Sequence, residues 1–107
     1  MVDRAEFVRL ALALEGTTSA PHFDRTAFKV VRTYATLAAD GLSINLKLTT
    51  DEQQLKCLTA PDCFTPVPNA WGRQGWTTVD LGALGAAELA AALELAWTHA
   101  RAKRPRR

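Results

Sequence analysis

Cysteine is scarce in this chain, with only Cys57 and Cys63 among 107 residues. That excludes the density of a secreted disulfide scaffold and the Cys-x-x-Cys spacing of a metal site, and it predicts free thiols in a reducing cytoplasm. Long apolar runs are missing too. No stretch reaches the roughly 18 apolar residues a membrane span requires, and Met1 to Glu6 lacks the basic start and unbroken apolar core of a signal peptide. The expectation is a soluble, cytoplasmic protein without membrane contacts. Repeats and low-complexity linkers are absent. With 48% hydrophobic residues, residues 1–100 are expected to form one domain that buries roughly 60–65% of its unfolded surface.

Groups arranged for catalysis are also lacking. His22 and Asp24 point the same way on an extended segment, but no nucleophile accompanies them, and Thr17, Thr18 and Ser19 read as ordinary loop residues. His99 falls near the end of a helix, where an imidazole interacts well with the dipole. His22, Asp24, Cys57, Cys63 and His99 have no ligand spacing, so no metal is expected. Gly72-Arg73-Gln74-Gly75 lacks the phosphate-loop pattern and precedes a strand rather than a helix. The sequence therefore predicts neither an enzyme nor a cofactor.

Charge is unevenly spread. The formal +2 comprises 13 basic and 11 acidic residues. Arg101, Lys103, Arg104, Arg106 and Arg107 all lie in the last seven positions, so residues 1–100 carry 8 basic against 11 acidic side chains, a net of −3. An acidic body with a cationic end differs from a domain whose Lys and Arg cover one folded face. Residues 101–107 are expected to be a basic, disordered tail.

Periodicity supplies the elements. Asp3 and Glu6 form a capping pair before Phe7, Leu10, Ala11 and Leu14, which share helical spacing, and Gly16 stands where a stop belongs. Thr17 to Phe23 reads as a loop. Strands are expected over Thr26–Val31, Tyr34–Ala38 and Leu42–Thr49, the last alternating Leu42, Ile44, Leu46 and Leu48 with polar residues. Thr50 to Gln53 matches a capping box, and Leu55 and Leu58 form the apolar stripe of a second helix. Pro61 to Gly75 reads as an ordered loop in which Cys63–Val67 pairs as an edge strand. Trp76–Leu81 is a further strand. A final helix places Leu89, Ala92, Leu93, Ala96, Trp97 and Ala100 on one face.

The order α-β-β-β-α-(β)-β-α predicts a two-layer α+β domain, an antiparallel sheet with helices packed on one face. The opposite face is left open, with Lys29, Thr36, Asn45, Lys47 and Thr78 on it and Tyr34 and Trp76 as further candidates. That face is either solvated, covered by a second copy of the chain, or a ligand surface.

Three segments carry a resemblance: His22-Phe23-Asp24-Arg25, Asn45 to Glu52, and the glycine loop leading into Trp76-Thr77-Thr78-Val79-Asp80-Leu81. Together they resemble the MmcQ/YjbR family of small bacterial proteins, over nearly the whole chain. The resemblance implies a YjbR-like α+β fold and the family's usual label of DNA-binding protein. On that reading the chain is a non-enzymatic binding module. Arg73, Lys47 and Lys29 meet phosphates, Trp71 or Trp76 stacks on a base, and Arg101, Lys103 and Arg104 add weak, salt-dependent affinity. Two alternatives stay open. One is a protein-interaction or homodimer module anchored by the aromatics of the open face. The other is a small-molecule pocket lined by Trp71 and Phe64, with Arg73 for an anionic group.

Overall fold

The computed structural model describes residues 2–102. Asp3 caps the first helix by accepting from Glu6 N at 2.9 Å. This helix, α1 (Arg4–Leu12), buries Phe7 and Ala11 and ends four residues before Gly16. The segment expected to be a loop is instead a strand, β1 (Thr18–His22), exposed along its whole length. It pairs with β2 (Arg25–Lys29) through a two-residue turn at Phe23-Asp24. Exposure on both faces removed the alternating pattern that marks a strand.

β3 (Thr33–Leu37) and β4 (Ser43–Lys47) complete a four-stranded meander. Beyond it lie α2 (Thr50–Thr59), β5 (Phe64–Pro66), the one-turn α3 (Ala70–Arg73), β6 (Trp76–Asp80) and α4 (Ala86–Arg101). All neighbouring strands are antiparallel, in the order β1-β2-β3-β4-β6-β5. α4 packs on β3, β4 and α1, closing a core that includes Phe7, Phe28, Ile44, Leu46, Val79, Leu89 and Leu93. The two-layer α+β architecture is as expected. No helix among the described residues is long and apolar enough to cross a membrane.

Several side chains differ from the sequence expectation. Tyr34 is fully buried in the core instead of lying on the open face. A bulge is responsible, because Phe28 pairs with Ala35 and Lys29 with Thr33, leaving Tyr34 as an extra residue that shifts the alternation by one. Its hydroxyl meets Thr17 Oγ1 at 2.9 Å. Leu42 is exposed because it lies in the turn before β4, where its N–H bonds to Asp40 Oδ1. Leu55 and Leu58 are exposed as well, so α2 has no buried apolar stripe.

The capping box of α2 starts at Thr49 rather than Thr50. Thr49 Oγ1 accepts from Glu52 N, and Glu52 Oε1 accepts from Thr49 N. Gln53 lies outside the box and is the buried residue of α2. Arg101, assigned by sequence to the tail, closes α4 with its guanidinium 4.7 Å from the Trp97 ring centroid.

Candidate functional site

The open face is built from the row Ala27, Thr36, Asn45, Thr78 and Thr65, paired successively across five strands. Arg25 extends over this row. Its Nε donates to Thr36 Oγ1 at 2.8 Å and its Nη2 to Thr36 O at 3.1 Å, which fixes the guanidinium on the sheet. Asn45 Oδ1 accepts from Thr78 Oγ1 at 2.9 Å, leaving the Asn45 amide N–H groups for another acceptor. The floor is thus polar, hydrogen-bonded and cationic.

Two aromatic residues rise beside it. Phe23, in the β1–β2 turn, is 95% exposed and holds φ of 57°. A bulky residue in the left-handed region costs of order 1–3 kcal/mol, and Gly, Asn or Asp ordinarily occupies such a position. The His22 ring packs edge-on to Phe23 at 4.9 Å. On the other side stands Trp71 of α3, 59% exposed.

Close backbone packing holds the Trp71 side in place. A Cβ on Gly72 would lie 1.8 Å from Val67 O, and one on Gly75, whose φ is 105°, would lie 1.9 Å from Leu48 O. Only glycine permits these approaches. Asn69 Oδ1 accepts from Trp71 N at 2.9 Å, and Gln53 Nε2 donates to Gly72 O at 2.9 Å and Trp76 O at 3.0 Å. One buried glutamine therefore ties α2, α3 and β6 together. The cleft between the two aromatic sides has a volume of about 530 Å³.

Trp76 is half-buried and forms a divide. Together with Thr33 it lines both this cleft and a second cavity of about 330 Å³, which is bordered by Arg32, Lys47 and His99. Lys47 is the register partner of Trp76. Arg32 Nη2 donates to His99 O at 2.7 Å and Ala102 O at 2.9 Å at the end of α4. His99 Nε2 meets Glu52 Oε2 at 2.9 Å. Burial works to raise the Glu52 pKa, but hydrogen bonds from His99 and Thr49, with the His99 charge, outweigh it and hold the carboxyl below its ordinary value. Neither cavity is lined by a carboxylate.

Of the residues proposed from sequence, the structure places Trp71 and Trp76 on the cleft and Lys47 beside Trp76. Lys29 is exposed on the same face, opposite Thr33. Arg73 is exposed but does not line the cleft, because it ends the one-turn α3 rather than an extended loop. Arg101 lies on Trp97, while Lys103 and Arg104 fall outside the described residues. Phe64 belongs to the core and so lines no pocket with Trp71. The sequence reading passed over Arg25, Phe23, Arg32 and His99 as a site. An aromatic residue in a two-residue turn was the one local signal available for Phe23.

The fold and cleft define a two-layer α+β domain with an open sheet face. The chain belongs to the YjbR family, whose family model matches residues 12–99. The fold is similar to the crystal structure of Deinococcus radiodurans protein DR2400, family-model domain DUF419. That likeness has a TM-score of 0.72 at 22% identity over 85% of this chain and 73% of the other. No curated protein matches the sequence.

Proposed function

We propose that the protein is a non-enzymatic nucleic-acid-binding module whose contact surface is the open-face cleft, and that it takes a single strand in preference to a duplex. The observation that carries this reading is the composition of the two cavities on either side of Trp76. They combine Phe23, Trp71 and Trp76 with Arg25, Arg32 and Lys47, and include none of the chain's 11 acidic residues. Exposed aromatics accept unstacked bases by their faces, while cations track the backbone. A paired base is already stacked in its duplex and gains little from either aromatic side. The net negative charge of residues 1–100 limits long-range attraction, so affinity depends on local contacts.

Fluorescence anisotropy with labelled single strands and duplexes over a salt series tests this. Trp71→Ala is expected to weaken single-strand binding roughly 5- to 150-fold, the range for loss of one stacked base. Arg25→Glu weakens it as well, whereas Arg73→Glu has little effect. Two phosphate contacts give a log–log salt slope of about −1.4 for a single strand. Binding that survives Trp71→Ala but disappears on ending the chain at Ala102 would refute the proposal. A second reading is supported by the cleft's 530 Å³, which falls in the range of small-molecule sites. It gains support if free nucleotides compete as well as strands do.

A further inference from the structure

We propose that the cavity bordered by Lys47, Arg32 and His99 is a subsite for one phosphate group, adjoining the aromatic cleft across Trp76. The inference rests on the strand-binding reading and adds a specific anchor to it. Lys47 is half-buried and has no carboxylate partner among the described residues. An ammonium with no fixed counter-charge is available to pair with a visiting anion.

Arg32 is already oriented. Its Nη2 is held by two carbonyls of the α4 C-terminus, leaving Nε and Nη1 as donors. A guanidinium fixed in this way loses little freedom on binding an anion. The same contacts offset the negative end of the α4 dipole, which would otherwise oppose a phosphate here.

His99 completes the border, with Nε2 engaged by Glu52 and Nδ1 as its remaining ring nitrogen. Glu52 is occupied by His99 and Thr49 and does not line the cavity. Lysine contributes a point charge and arginine a planar fork, a pairing suited to phosphate oxygens. Because Trp76 lines both cavities, a base against the indole on the cleft side puts its attached phosphate on the Lys47 side. The ligand class is a phosphate ester of a nucleic-acid strand, either an internal phosphodiester or a terminal phosphomonoester.

The test uses the full chain with inorganic phosphate and with short oligothymidylates bearing or lacking a 5′ phosphate. It is read by anisotropy and by ¹H–¹⁵N resonances of Trp76 and His99. Lys47→Gln is expected to lower oligonucleotide affinity about tenfold and the salt slope by up to about 0.7, and Lys47→Arg to retain both. Equal binding of the two oligonucleotides supports a phosphodiester, and a gain with the 5′ phosphate supports a terminal group. If Lys47→Gln and Arg32→Gln keep parental affinity and slope while Trp71→Ala still weakens binding, the subsite is wrong and the cleft reading survives. If no oligonucleotide binds but inorganic phosphate shifts Trp76 and His99, the cavity takes phosphate, while its assignment to a strand is overturned together with the strand reading. Silence to every probe overturns both.

Discussion

Replacing Gln53 is the most direct test of how the cleft is held. Its Nε2 donates to Gly72 O at 2.9 Å and Trp76 O at 3.0 Å. Those carbonyls also accept backbone bonds, Gly72 O from Gly75 N at 3.1 Å and Trp76 O from Val67 N at 3.0 Å. Removing the amide therefore leaves neither carbonyl bare, and the loss is two net hydrogen bonds of about 1 kcal/mol each rather than a full desolvation penalty. Gln53→Met, which preserves most of the volume, should destabilise by about 1–2 kcal/mol. Gln53→Ala also removes a buried methylene, worth about 0.8 kcal/mol, for a total of about 2–3 kcal/mol. Urea unfolding at equilibrium measures both, and thermal midpoints should fall by about 5 °C per kcal/mol. Hydrogen exchange at Gly75 and Trp76 should accelerate more than at Leu89 in α4, because the lost bonds restrain α3 and β6. A loss below about 0.5 kcal/mol for Gln53→Ala, or exchange changed equally in all elements, would refute the reasoning.

Gly72→Ala places a methyl 1.8 Å from Val67 O, so the β5–β6 connection must rearrange. A loss of at least about 3 kcal/mol is expected, checked by urea denaturation, and a near-neutral effect would contradict the packing. Glu52 has a lowered pKa in the folded state, so its contribution is present above its unfolded value and is lost as pH falls through the folded one. Stability measured from pH 6 to 3 should therefore decline less steeply in Glu52→Gln. Partial exposure keeps the difference below about 1 kcal/mol.

Much of the architecture was legible in local sequence. The alternation of Ile44, Leu46 and Leu48 gave one buried face, the Asp3–Glu6 pair opened α1, and the alanine-rich α4 pattern placed Leu89, Leu93 and Ala96 in the core. Such signals act over a few residues and need no partner. Family membership was legible in three short segments, His22–Arg25, Asn45–Glu52 and Trp76–Leu81.

Other features depended on contacts between distant positions. β1 has no buried face, so only pairing with β2 makes it a strand. Tyr34 enters the core because the bulge lies in the register between β2 and β3, a relation that neither strand specifies alone. Both Thr49-x-x-Glu52 and Thr50-x-x-Gln53 fit a capping box. The choice between them was made by burial of Gln53 against Gly72 and Trp76, 19 and 23 residues away.

The sequence alone determined which residues could form an antiparallel sheet covered by helices, because side-chain period and capping are local properties. The tertiary structure decided the candidate site. Arg25 reaches Thr36 across a strand pair, and Arg32 reaches the end of α4 across 67 and 70 residues. Only the folded backbone brings Phe23, Trp71 and Lys47 to one surface, since long-range pairing sets their distances and local sequence does not.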